Sequence, residues 1–212
     1  MSGGLDSATT LYFAKAEGFD CACLIFDYGQ RHLREIEAAK RLAASAKCVY
    51  RVIKIDFPWK GSSLLSRKIK LPRSNRAGSA IPSTYVPARN IIFLSFALSF
   101  AESIGARVIF IGAHAQDYSG YPDCRPDFFR AFSKVSLCGT KAGIEKRKIE
   151  IKTPLINKNK AQIIRLGNRM GVPFGSTWSC YRGGKTPCGK CDSCYFRAKG
   201  FKEAGIKDPL LK

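Results

Sequence analysis

Two groups of residues in this chain have types and spacings that chemistry can use. The first is Ser2-Gly3-Gly4-Leu5-Asp6-Ser7. Glycines let a backbone bend sharply and present N–H groups to an anion without a Cβ in the way. From Ala8 the sequence turns helical, with Leu11, Tyr12, Ala14 and Lys15 at helical spacing and Gly18 closing the run. A glycine-bearing turn that runs into a helix N-terminus is an anion site, because unpaired N–H groups and the helix dipole both point at the ligand. The spacing is neither that of the Walker loop nor that of the dinucleotide fingerprint. The competing reading of the same residues is a frayed chain end.

The second group is Cys180, Cys188, Cys191 and Cys194. Three thiolates spaced three residues apart, with a fourth reached through the Tyr181–Pro187 loop, can converge tetrahedrally on one zinc ion. Gly189 relieves the turn inside the first Cys-x-x-Cys, and Arg182, Lys185, Lys190 and Arg197 are placed to offset the thiolate charge. With every ligand position filled by protein there is no room for a catalytic water, so the site reads as structural. A redox pair and an iron–sulfur cluster are the competing uses. Cys21, Cys23, Cys48 and Cys138 read as small core residues.

The elements that must position these groups alternate between strand and helix. Cys21 to Phe26 is a continuous apolar run, as expected of a strand buried on both faces, and it ends in the polar cluster Asp27 to His32. A helix from about Leu33 to Ala46 and a strand from Cys48 to Ile55 follow. This rhythm predicts an α/β fold, a Rossmann-like parallel sheet whose ligands bind beyond the carboxyl ends of the strands. Tyr28, Gln30 and His32 lie at such an end. A phosphate-binding loop should be fed by an apolar strand, and only Met1 precedes this one, so the sheet is expected to lack its first strand.

Pro58 to Thr84 is basic and serine-rich, and reads as a mobile lid or a linker. Tyr85 to about Ile104 is a helix apolar nearly all round; such a helix is buried or makes an oligomer contact, and a homodimer is the expected assembly. The strand Val108 to Ile111 delivers a polar, aromatic loop, Gly112 to Arg125, whose donors and acceptors suit a planar heterocycle. A helix over Asp127–Val135, a strand near Ile149–Lys152 and a helix over Lys158–Arg169 complete the body. The expected division is residues 1–174 for the nucleotide-binding body and 175–212 for a small zinc-binding module packed on it.

Composition narrows the class. The chain has 212 residues and a net charge of +20, with the basic residues dispersed. That charge suits anionic ligands and permits RNA contact, and it is equally the surface of a protein from a basic proteome. The longest apolar-rich stretch, Ile91 to Ala101, is broken by serines and too short to span a membrane. No charged segment followed by an apolar one opens the chain. A cytoplasmic location without a disulfide framework is therefore expected of the nine cysteines.

Several strings occur in an order that identifies a family. Ser2–Ser7 resembles the pyrophosphate loop of the ATP pyrophosphatases. Together with Phe26–His32, Tyr85–Asn90, Asp117–Arg125, Thr153–Ile156, Thr177–Tyr181 and the Cys188–Cys194 run, it resembles the 7-cyano-7-deazaguanine synthases over essentially the whole chain. The resemblance implies conversion of 7-carboxy-7-deazaguanine and ammonia to the nitrile, with ATP used twice, for queuosine or archaeosine in tRNA. It places ATP, with Mg²⁺, on Ser2, Gly3, Gly4, Leu5, Asp6, Ser7, Ala8, Thr9, Thr10 and Leu11, with Asp6 as a magnesium contact. Tyr28, Gln30, His32, Arg89, Asn90, Asp117, Tyr118, Tyr121, Asp123 and Arg125 would form the nucleotide and substrate site. Arg89 or Arg125 would face the substrate carboxylate. Binding of nucleic acid is not required.

The chemistry fits the loop. A carboxylate is a poor electrophile, and adenylation gives it a leaving group that ammonia can displace. Dehydrating the resulting amide requires its oxygen to be activated again. Two other readings remain: a tRNA-thiolating relative, for which Cys124 is the plausible catalytic cysteine, and a zinc-bearing RNA-binding module.

Overall fold

A computed structural model describes residues 1–59, 61–66, 68–71, 81–114 and 120–211. The chain is α/β with parallel strands. Helix α1 (Leu5–Ala16) leads to strand β1 (Ala22–Asp27), helix α2 (Arg34–Ser45) and strand β2 (Val49–Lys54). Helix α3 (Arg89–Ser103), strand β3 (Val108–Phe110), helix α4 (Pro126–Gly139), the single turn α5 (Lys141–Ile144) and strand β4 (Glu150–Lys152) make the second half. Helices α6 (Lys160–Arg169) and α7 (Asp192–Ala204) close the chain.

The order agrees with the periodicity, and the boundaries move for local reasons. Helix α3 begins at Arg89 because Pro87 and then Ala88, held at φ 54°, interrupt the path that Tyr85 opens. Helix α6 begins where Asn159 closes a reciprocal cap: the Asn159 side chain accepts from the Gln162 N–H, and the Gln162 side chain accepts from the Asn159 N–H, both at 2.9 Å. Gly205 ends α7 in the left-handed conformation.

Among the described residues the expected single sheet is two separate pairs. β1 lies parallel to β2, in register from Ala22↔Val49 to Asp27↔Lys54. β3 lies parallel to β4, from Val108↔Glu150 to Phe110↔Lys152. A cavity of about 830 Å³ runs along both β1 and β3, so no ladder joins them.

The core is divided in the same way. Leu94, Leu98, Ile109, Phe129, Phe132 and Ile149 pack together on the β3–β4 side. Leu5, Ala8, Leu42, Leu155, Ile163 and Ile164 pack around α1 and α6, and Phe201 of α7 joins them. Burying a side chain of this size contributes about 1.5–3 kcal/mol. The C-terminal segment thus shares a core with the body. Cys23 and Cys48 are buried, whereas Cys138 is exposed on α4, so the core reading does not hold for it. Helix α3 buries only Leu94, Leu98 and Ala101 and leaves Ile91 and Phe96 exposed. No helix among the described residues is long and apolar enough to cross a membrane.

Candidate active site and metal centre

The Ser2–Ser7 segment is a turn that caps α1. Gly3 sits at φ +76°, and a Cβ built on it would stand 2.2 Å from the carbonyl oxygen of Glu35 and 2.7 Å from the backbone nitrogen of Ala39. Only glycine fits both the conformation and the approach. Ser7 Oγ organises the turn: it donates to the Gly4 carbonyl at 3.1 Å and accepts from Ser2 Oγ at 3.1 Å. The Trp178 N–H donates to the Gly3 carbonyl at 2.8 Å, so the segment leading to the cysteines also braces the loop. Thr9 and Thr10 turn inward and donate to the carbonyls of Leu5 and Asp6 at 2.9 and 3.0 Å. They hold the helix, as do the buried Leu5, Ala8 and Leu11.

Asp6 sits in the first turn of α1, and both of its carboxylate oxygens accept from the Lys160 ammonium, at 2.8 and 2.9 Å. Lys160 Nζ also lies 2.9 Å from His114 Nε2. The same His114 nitrogen lies 3.6 Å from Asp6 Oδ2, so the three side chains form one cluster. Burial pushes the Asp6 carboxyl up, but Lys160 and His114 outweigh it and hold the group well below the usual carboxylate range. Lys160 was invisible to sequence reasoning as a site residue. Its one local signal is its place as the first residue of α6, directly after the Asn159 cap.

The loop opens on the polar end of the cavity. Asp6, Ser7, Gln30, Glu35, Arg89 and Tyr121 are among its lining residues there. Tyr28 and Arg89 meet: Arg89 Nη1 donates to the Tyr28 hydroxyl at 3.2 Å, and the guanidinium lies over the Tyr28 and Phe93 rings. Burial pushes the Tyr28 phenol up to about 12, although Arg89 pulls it down. Gln30 is fixed by the chain turn, accepting from the Tyr28 N–H at 2.8 Å and donating to the Phe26 carbonyl at 3.3 Å. Beside them Glu35, which the sequence did not single out, is pushed up to about 7 by burial, with Arg89 and Gln30 acting against the rise.

The remaining expected contacts divide. Asn90 and Tyr121 line the cavity. Asp123 is buried and positions Asn90 instead, accepting from its N–H at 2.9 Å. Arg125 is exposed at the start of α4 and is not among the residues that line the cavity, whereas Arg89 is, as is Arg31. His32 lines the cavity but packs against Gly183, where an added Cβ would stand 2.3 Å from its ring. Asp117 and Tyr118 lie outside the described residues, as do residues 60, 67 and 72–80 of the expected lid. The described part of that segment is tied down, with the Ser63 N–H donating to the Ser83 carbonyl at 2.7 Å and Arg31 donating to the Ser66 carbonyl at 2.6 Å.

The four cysteines come together as their spacing predicts. One sulfur from each of Cys180, Cys188, Cys191 and Cys194 lies within 4.8 Å of the others. Cys188 Sγ and Cys194 Sγ are 4.0 Å apart, close to the edge of about 3.8 Å that a tetrahedron with metal–sulfur bonds of about 2.3 Å requires. Backbone N–H groups of Arg182 and Cys188 point at Cys180 Sγ, at 3.4 and 3.3 Å, and that of Lys190 points at Cys188 Sγ at 3.4 Å. Such donors stabilise thiolates. The donor set therefore fits a metal ion. Arg197 does not offset the thiolates: it is buried against Asp208, at 2.7 and 2.8 Å, and donates to Thr177 and the Phe174 carbonyl.

A family model described as "Queuosine biosynthesis protein QueC" matches residues 1–205. The chain belongs to the QueC family. Among curated relatives of this QueC chain, the 7-cyano-7-deazaguanine synthase of Trichodesmium erythraeum is 50% identical, over 100% of this chain and 97% of its own. That of Trichormus variabilis is 52% identical, over 99% and 95%. That of Desulfitobacterium hafniense strain DSM 10664 is 53% identical, over 99% and 90%. In fold, the QueC chain resembles the solved structure of NMN synthetase from Francisella tularensis, with a TM-score of 0.52, 14% identity, and coverage of 97% of this chain and 75% of that one.

Proposed function

We propose that this QueC chain converts 7-carboxy-7-deazaguanine and ammonia to 7-cyano-7-deazaguanine at the expense of two ATP, in the supply of queuosine or archaeosine. The observation that carries this reading is the turn at the N-terminus of α1, whose Ser2, Gly4, Asp6 and Ser7 line the same cavity as Arg89 and Tyr28. The turn offers backbone donors to a phosphate chain, and Arg89 and Tyr28 offer a cation and an aromatic ring to a planar acid.

In the first half-reaction the substrate carboxylate oxygen attacks the α-phosphorus and pyrophosphate leaves. Ammonia then displaces AMP from the acyl carbon and sheds a proton, giving the amide. In the second, the amide oxygen attacks the α-phosphorus of a second ATP and expels pyrophosphate, and loss of AMP together with the nitrogen's two protons leaves the nitrile. Both leaving groups are anionic, so fixed donors at the loop favour both transition states. Residues Ser2 to Leu11 would hold ATP. Mg²⁺, which neutralises charge on the phosphates, would sit by Asp6, and Lys160 is the cation already positioned beside that carboxylate. Tyr28, Gln30, His32, Arg89, Asn90 and Tyr121 would contact the nucleotide or the deazaguanine, with Arg89 facing its carboxylate.

The metal of the four-cysteine site is read as zinc, one per chain, held by Cys180, Cys188, Cys191 and Cys194. Its role is structural, because no ligand position is left over. It would brace residues 175–212 against the nucleotide-binding residues 1–174. A homodimer in the cytoplasm, needing neither membrane nor nucleic acid, completes the reading.

The test is incubation of the purified protein with 7-carboxy-7-deazaguanine, ammonium, Mg²⁺ and ATP, with products separated by mass. A transient amide followed by the nitrile supports the assignment. Turnover only with tRNA and a sulfur donor would indicate thiolation, and absence of any ATP use would indicate a binding module.

A further inference from the structure

The segment that carries the cysteines also faces the cavity. Ser179 and Tyr181 flank Cys180, Ser193 stands between Cys191 and Cys194, and all three line the same cavity as Arg89 and Tyr28. Their backbone is held from two sides. The Trp178 N–H donates to the Gly3 carbonyl at 2.8 Å, and the Trp178 indole donates to the Cys180 carbonyl at 2.9 Å. Ser179 is thus pinned between the Ser2–Ser7 turn and the cysteine loop. The Tyr181 N–H points at Cys191 Sγ, and the ring packs against the cluster of Trp178 and the cysteines. The Tyr181 hydroxyl stands within electrostatic reach of Arg89 and Tyr121 on the cavity wall. Among the described residues none of the three hydroxyls makes a hydrogen bond, and none is sealed from the cavity.

We infer that Ser179, Tyr181 and Ser193 are substrate-contacting residues, a row of hydroxyls that hydrogen-bonds the heterocycle of the acid whose carboxylate faces Arg89. The assignment rests on the reaction proposed above and adds to it a recognition wall taken from the metal-bearing segment. A deazaguanine presents a lactam N–H, a lactam carbonyl and an exocyclic amine, so its partners must both donate and accept. A hydroxyl does either, according to how it rotates. Tyr181 adds an aromatic face beside its polar tip, the usual make-up of a pocket for a planar ligand. The other planar group in the reaction is the adenine of ATP, which carries no carboxylate. The nearness of Tyr181 to Arg89 therefore favours the acid as the occupant of this wall. The assignment also gives the Thr177–Tyr181 string a task that the Ser2–Ser7 turn does not account for. Because Cys191 Sγ holds the Tyr181 backbone, the cysteine centre fixes where this wall stands.

The experiment reads equilibrium binding rather than turnover, by calorimetry on the metal-loaded full chain. 7-Carboxy-7-deazaguanine is titrated in the presence of a non-hydrolysable ATP analogue, and the analogue is titrated alone. Tyr181→Phe, which keeps the ring, and Ser193→Ala should each weaken binding of the acid by about tenfold, the loss of one buried hydrogen bond. Affinity for the ATP analogue should stay within about twofold of the parent. Metal content and melting temperature are read on every variant. If Tyr181→Phe sheds metal, Ser179→Ala and Ser193→Ala, which leave the Tyr181–Cys191 contact in place, give the same reading. Folded, metal-loaded variants that bind the acid as tightly as the parent, or that lose acid and analogue alike, would overturn the assignment and leave the proposed reaction standing. A parent that binds the analogue but not the acid would overturn the reaction, and the assignment with it.

Discussion

Lys160 and Asp6, 154 positions apart, meet with the ammonium 2.8 and 2.9 Å from the two carboxylate oxygens. The pair joins the first turn of α1 to the first residue of α6, and so fixes the Ser2–Ser7 turn against the rest of the fold. Both side chains are largely shielded, with 13% of Lys160 and 26% of Asp6 accessible, so the contact is not a screened surface pair.

Lys160→Met should leave the Asp6 carboxylate without its main partner and cost about 1–3 kcal/mol at neutral pH. The sign follows from the depressed Asp6 group: its stabilisation is present above the unfolded value of about 3.9 and fades as pH falls toward the folded one. Urea melts at pH 7 and pH 3 would show the variant's deficit shrinking at the lower pH. Turnover should fall by about hundredfold, the loss typical of a preorganised electrostatic contact.

Glu35 gives the opposite slope. Its carboxyl is pushed up to about 7, so between the ordinary value of about 4.3 and 7 the folded protein holds a proton that the unfolded chain has lost. Stability should therefore fall as pH rises through this window. Glu35→Gln cannot ionise, and thermal melts from pH 4.5 to 8 should be flatter for the variant than for the parent.

A metal ion held by the four sulfurs would couple its binding to folding of the segment that carries them. Elemental analysis should find one zinc per chain. Cys191→Ser should lower the melting temperature by about 5 °C or more, as should prolonged exposure of the parent to a strong chelator. Equal melting with and without metal would remove the structural role.

Much of this was legible in the chain because it is local. The Ser-Gly-Gly turn, the apolar run of β1 and the cysteine spacing each lie within a few residues, and each appears where its pattern places it. What was not legible depends on chain folding back on itself. Nothing near Lys160 in sequence points to Asp6, and nothing about Glu35 in an amphipathic helix announces burial beside Arg89. Arg125 and Arg89 look alike as cations in polar strings, yet one is exposed at the start of α4 and the other lies in the cavity. Arg197 looked like a counter-charge for thiolates and proves to belong to Asp208. The division of the sheet likewise depends on which strands are neighbours, a property that periodicity does not carry.

The two-step activation at a single loop is tested most directly by supplying the amide itself. With 7-amido-7-deazaguanine, Mg²⁺ and ATP but no ammonia, the nitrile should form with one AMP and one pyrophosphate per product, and the parent acid should consume two of each. Ser7→Ala, which removes the hydroxyl that organises the Gly3-Gly4 turn, should slow both reactions by similar factors. An amide that is left unconverted, or nitrile formed without pyrophosphate, would contradict activation of both oxygens at this loop.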